Sequence, residues 1–132
     1  MAQSTNEMTL LLHQEDTNGV AILNRVIGAI SYAGGIGQFQ IGDLEDTSAH
    51  SQTFPSTVST VNQFYFKNTS TTQFITVTWT HTTGASCIPQ AVPPGGILLF
   101  WNPVVTSPAG ITALSLQADV ASATFEMFLG GA

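Results

Sequence analysis

Three histidines, His13, His50 and His81, and one cysteine, Cys87, are the side chains best suited to metal ligation or nucleophilic attack. Zinc sites need ligands paired at short, regular spacing. These histidines stand 37 and 31 positions apart with no i, i+4 pair among them. His81 continues the face of Ile75, Val77 and Trp79, so it reads as a histidine on the rim of a strand. Cys87 lies in "TGASCIPQ" with no basic neighbour in sequence to stabilise a thiolate, so it reads as a loop or packing residue. A single cysteine also makes an internal disulfide impossible.

The carboxylates are tested against hard cations. Asp43, Glu45 and Asp46 cluster in "GDLED", and Asp16, Asn18 and Gly19 in "EDTNG" resemble the start of a calcium loop. Neither stretch has the twelve-residue spacing or closing glutamate of an EF-hand, so both read as solvated turns. A pair of acids for glycoside hydrolysis is poorly supplied, since only Asp119 and Glu126 follow residue 46. The G-x-S-x-G, H-E-x-x-H and phosphate-loop patterns are all missing. The reading is of a non-enzyme with no cofactor and no metal.

The elements that would position these groups are short strands. The chain has 132 residues, of which only 8% are charged, against roughly a quarter in ordinary soluble domains. Hydroxyls replace the missing charge: 18 Thr and 11 Ser stand beside 12 Gly. Threonine packs well on pleated surfaces and glycine punctuates turns, so the composition predicts β structure. With two basic residues and a net charge of −6, the chain is poorly equipped for nucleic acid or an anionic membrane surface. No apolar run approaches the ~18 residues of a membrane-spanning helix. The amino terminus, "MAQSTNEMTLLLHQ", lacks the charged and apolar blocks of a secretory signal, so folding in a cytoplasm is expected. The sequon Asn68-Thr69-Ser70 then reads as a polar turn.

Alternation marks a first strand in "EMTLLLHQ", with Met8, Leu10 and Leu12 on one face, before a turn at "EDTNG". Residues 19–33 fit either a helical stripe or a strand; β-branched residues and Gly28 favour strand. Phe39 and Ile41 share a side in the glycine-punctuated stretch after them, and "TSAHSQTFPSTVST" reads as a long connection. In "QFYFKNTSTTQFITVTWT", Phe64 and Phe66 alternate with Gln63, Tyr65 and Lys67. Ile75, Val77 and Trp79 alternate with Thr76, Thr78 and Thr80, so the pair is expected to form a hairpin with one packed and one wet face. "ILLFW" after "VPPGG" reads as a strand buried on both sides. Leu114, Leu116, Ala118 and Val120 share one later face, and Phe125, Met127 and Leu129 another. The total is seven to nine strands in a single antiparallel β-sandwich or jelly-roll-like domain over residues 1–132, with residues 1–8 a candidate extended arm.

At "QFYFKNTS", "VPPGGILLFWNP" and "ATFEMFLGG" the order of pieces resembles the small β-sandwich virion proteins of tailed bacteriophages, over residues 61–132. That resemblance implies a structural role: a protein that folds in the bacterial host's cytoplasm and docks in many copies on capsid or tail proteins of the same virion, and the homo-oligomer expected with it is a trimer. The leading expectation is a capsid decoration or cement protein on the outer head surface. A tail, baseplate or fibre-attachment subunit is the alternative. A carbohydrate-binding module is a further one, with Tyr32, Tyr65, Trp79 and Trp101 as candidate platform residues, although core packing suits them better. Thr76, Thr78 and Thr80 are the candidate contact residues, weighed equally against a face that merely meets water.

Overall fold

The computed structural model describes the backbone of residues 5–33, 36–56, 58–101 and 110–131; within these, the side chains of residues 5–8, 10, 25–33, 36 and 101 fall outside the description. Two compact units make up the chain, Met1–Gly35 and Ile36–Ala132. The first is a β-ribbon: β1 (Thr5–Glu15) pairs antiparallel with β2 (Ala21–Ala33). Residues 21–33 are therefore strand, as the β-branched side chains favour. Of the candidate arm over residues 1–8, residues 1–4 lie outside the described ones and Thr5 to Met8 begin β1. The "EDTNG" turn closes through Asp16, whose Oδ1 accepts from the backbone N–H groups of Asn18 at 2.8 Å and Val20 at 2.9 Å. Gly19 takes a φ of 77°, which glycine adopts without a Cβ penalty.

The second unit is all-β and antiparallel. It contains β3 (Ile36–Leu44), β4 (His50–Ser51), β5 (Val61–Asn68), β6 (Ile75–His81), β7 (Gln90–Val92), β8 (Ile97–Trp101), β9 (Ile111–Ala118) and β10 (Ala123–Gly131). Hydrogen bonding orders them as a leaf β3-β10-β5-β8 and a leaf β4-β9-β6-β7, joined where Val61 pairs with Ile111. The leaves pack face to face as a β-sandwich. Trp79 of β6 meets Phe64 of β5 at a ring-centroid distance of 6.4 Å and Phe100 of β8 at 6.1 Å, although β6 bonds to neither strand. Period-2 alternation sends Phe64, Phe66, Phe125, Met127 and Leu129 inward from one leaf and Ile75, Val77, Leu114, Leu116 and Ala118 inward from the other. Val120 does not join them: it lies beyond the end of β9 and is exposed. The ten strands among the described residues exceed the expected seven to nine because β4 and β7, of two and three residues, are too short to show a period.

Two further expectations are corrected. Residues 61–80 do not form a hairpin: β5 pairs with β10 and β8, and β6 with β9 and β7. Each strand has one apolar face, and placing those faces opposite one another across the core buries both. The short connection after Asn68 crosses between leaves. The second correction concerns "ILLFW". β8 is an edge strand with Leu98 and Phe100 turned inward, while Ile97 and Leu99 are exposed on the outside. Pro94 and Gly95 prepare its entry in a turn closed by the Gly96 N–H bond to the Pro93 carbonyl at 2.8 Å. Gly95, at φ 74°, supplies the positive dihedral that a type II turn needs after proline.

Candidate protein-contact faces

The inward side chains of β6 and β9 leave a hydroxyl-bearing outer face. Thr76, Thr78 and Thr80 lie there, opposite Gln117, Ser115 and Ala113 of β9. Ala91 of β7 flanks Thr76, and Ser51 of β4 flanks Ser115. No ionic side chain occupies any of these register positions. The three threonines are half-buried among their neighbours, so their χ1 angles are already restricted before any partner arrives. Thr80 Oγ1 sits 3.4 Å from Ser86 Oγ, and Thr112 Oγ1 donates to the carbonyls of Thr80 and His81, both at 3.3 Å. The sequence-derived contact residues therefore share one rigid face.

The other leaf presents a different outside. Rows across β8, β5, β10 and β3 read Ile97, Lys67, Glu126, Ile41 and then Leu99, Tyr65, Phe128, Phe39. Ile41, Ile97, Phe39 and Leu99 are exposed by 79, 57, 55 and 41%. Alternation placed Phe39 and Ile41 on one side correctly; it carries no signal that this side faces outward. In the middle of this face the Tyr65 hydroxyl donates to Glu126 Oε1 at 2.8 Å, a bond between residues 61 positions apart.

Partial burial, then the bond to Glu126 and its negative charge, push the Tyr65 phenol up to about 12. The folded state holds this proton more tightly than the unfolded state, whose phenols titrate near ~10. The resulting stabilisation is complete below pH ~10 and is lost as pH rises toward about 12. Phenolate absorbance should show a phase centred near 12 that Tyr65→Phe removes. A removed phase centred near ~10 would contradict the bond's role.

The groups suited to chemistry are engaged locally. His13 pairs with Glu15 at 2.8 Å and His50 with Asp46 at 2.7 Å. The His50 hydrogen bond, with the Ser48 N–H behind it, holds the Asp46 carboxyl below its usual range. His81 packs at the rim against Phe100, ring centroids 6.5 Å apart. Cys87 ties the end of β6 down, its N–H donating to the Trp79 carbonyl at 2.9 Å and its sulfur accepting from the Trp79 N–H at 3.3 Å. Among the described residues, no group of three or more His, Cys, Asp or Glu is arranged to hold a metal ion. Of the candidate sugar-platform residues, Trp79 packs between Phe64 and Phe100, while the side chains of Tyr32 and Trp101 lie outside the described ones. No protein-family model, curated protein or solved structure matches the chain.

Proposed function

We propose that the chain is a structural subunit of a virion, a decoration or cement protein that binds the outer surface of a tailed-phage head through protein–protein contacts. The observation that carries this reading is the charge-free face on which the hydroxyls of Thr76, Thr78, Thr80 and Ser115 stand beside the Gln117 carboxamide. Short β-branched side chains lose far less rotamer entropy on contact than lysine or glutamate, so they suit permanent interfaces. The net charge of −6 favours an outer position over one against packaged DNA. Stabilisation would follow from mass action: a subunit that binds only the assembled shell raises the free energy of disassembly without any reaction.

The test is co-sedimentation of the purified chain with expanded heads and, separately, with tails. Binding to heads is expected, and Thr78→Lys should weaken it at least ~tenfold, because the interface would have to desolvate an unpaired ammonium. Binding to tails alone would promote a tail or baseplate role. Binding to neither would return a carbohydrate-binding module to the front.

A further inference from the structure

The two leaves treat their open edges differently. A free strand edge is a template for pairing with another chain, and proteins blunt it with short strands, proline or charge. The β4-β9-β6-β7 leaf does so: its edges are a two-residue and a three-residue strand, and Pro93 follows β7 directly. The other leaf ends in β8, five residues long and directly preceded by the Pro93–Pro94 turn, and in β3, nine residues long, whose outer edge is unpaired among the described residues. Its sequence, "IGQFQIGDL", holds no proline, no lysine and a single charge, Asp43. Gly42 leaves room for the Phe125 ring of β10, since a Cβ there would lie 2.6 Å from it.

We propose that β3 is the self-association edge: it pairs antiparallel with β3 of a second copy about a two-fold axis at Gln40, making one eight-stranded leaf from two four-stranded ones. One antiparallel register pairs all nine residues, Ile36 with Leu44 of the partner subunit through to Leu44 with Ile36 of the partner subunit, and like every antiparallel pairing of identical strands it is two-fold symmetric. That register sets Phe39 against Ile41 of the partner subunit twice, covering the two apolar side chains that stand most exposed beside the edge. Aromatic against β-branched is a favourable cross-strand pair. The charge pattern is compatible with this register. Asp43 falls opposite Gly37 of the partner subunit, so the two aspartates stand six positions apart, about 20 Å, well beyond the screening length of physiological salt. An in-register parallel pairing would stack Asp43 on its own copy. Roughly eight to ten new backbone hydrogen bonds form along the joint, and the isologous geometry closes at two copies. A dimer is thus the unit, where a decoration protein is expected to cluster in threes.

The pairing is independent of the virion reading and is measured on the full chain with no heads or tails present, so either can fail alone. Light scattering and sedimentation equilibrium should show a dimer at roughly micromolar concentration. F39K and I41E should each raise the dimer Kd by at least ~tenfold, while thermal midpoints measured on the monomer, at concentrations below the dimer Kd, hold because both side chains are exposed there. An equimolar mixture of the F39K and I41E chains should recover the dimer, because the heterodimer sets the introduced ammonium against the introduced carboxylate and keeps one Phe39–Ile41 pair. Hydrogen exchange of the β3 amides should slow with concentration in the unmodified chain and in neither variant alone. A monomeric unmodified chain, an oligomer indifferent to both substitutions, or a mixture that stays monomeric would overturn the proposal.

Discussion

Asn68→Ala is expected to lower the unfolding free energy by about 3–4 kcal/mol and the thermal midpoint by on the order of 10 °C. The side chain is fully buried at the end of β5. Its Nδ2 donates to the carbonyl of Gln73 at 2.7 Å and to that of Val92 at 2.9 Å, and its Oδ1 accepts from the Ser70 N–H at 3.0 Å. Its backbone N–H and carbonyl bond to Gly96 and Gly95 at 3.0 and 2.9 Å. One residue thus pins the end of β5, the connection to β6 and the turn between β7 and β8. Truncation leaves two carbonyls and one N–H without these partners, each costing roughly 1–3 kcal/mol where water cannot replace them. Asn68→Asp separates polar satisfaction from shape: it aims a carboxylate at two carbonyl oxygens, so its folded-state pKa must rise and its destabilisation must ease as pH falls. Urea melts at neutral and acidic pH check both. A loss below ~1 kcal/mol for Asn68→Ala, similar to an exposed substitution such as Thr71→Ala, would remove the pin from the account.

The same residue marks where reading by pattern stops. Asn68-Thr69-Ser70 is legible as a sequon and a turn, yet the asparagine's work is with carbonyls 5 and 24 positions away, and no local pattern encodes those partners. A glycan on Nδ2 would have to displace both bonds and leave the core. Alternation did reveal the inward residues of β5, β6, β9 and β10, because a strand with one buried face must repeat every two residues. It could not reveal partners. β5 and β6 each show a clean period and a short connection, which describes a hairpin and a crossing between leaves equally well. "ILLFW" failed for a related reason: an unbroken apolar run is compatible with burial on both sides or with an edge strand whose outer residues are exposed, and β8 is the second kind. On the candidate site, Thr76, Thr78 and Thr80 were legible as one face from spacing alone. The opposing apolar rows at Phe39, Ile41, Ile97 and Leu99 were not, since a period names a face without saying whether it looks in or out.

Phe66→Ala should be the most damaging core truncation, at about 3–5 kcal/mol. Phe66 is fully buried on β5, with its ring 5.7 Å from that of Phe125 and 6.3 Å from that of Phe64, both at 25° between planes. β10 bonds to one side of β5 through Met127, and β8 to the other through Leu98. A strand held on both sides cannot slide to fill the cavity, so the site belongs at the costly end of the range for this substitution. Against a typical total of ~5–15 kcal/mol, that loss leaves little margin. Phe66→Leu, which keeps most of the volume, should recover more than half of it. Phe39→Ala supplies the contrast, because the same side chain on the outer face is 55% exposed. Its removal should move monomer stability by less than ~0.5 kcal/mol and act on the β3 joint. Urea melts at low protein concentration separate the two phenylalanines. Equal losses at positions 39 and 66 would mean that the leaf is not facing the core in the register given by Phe128 opposite Phe39 and Met127 opposite Phe66.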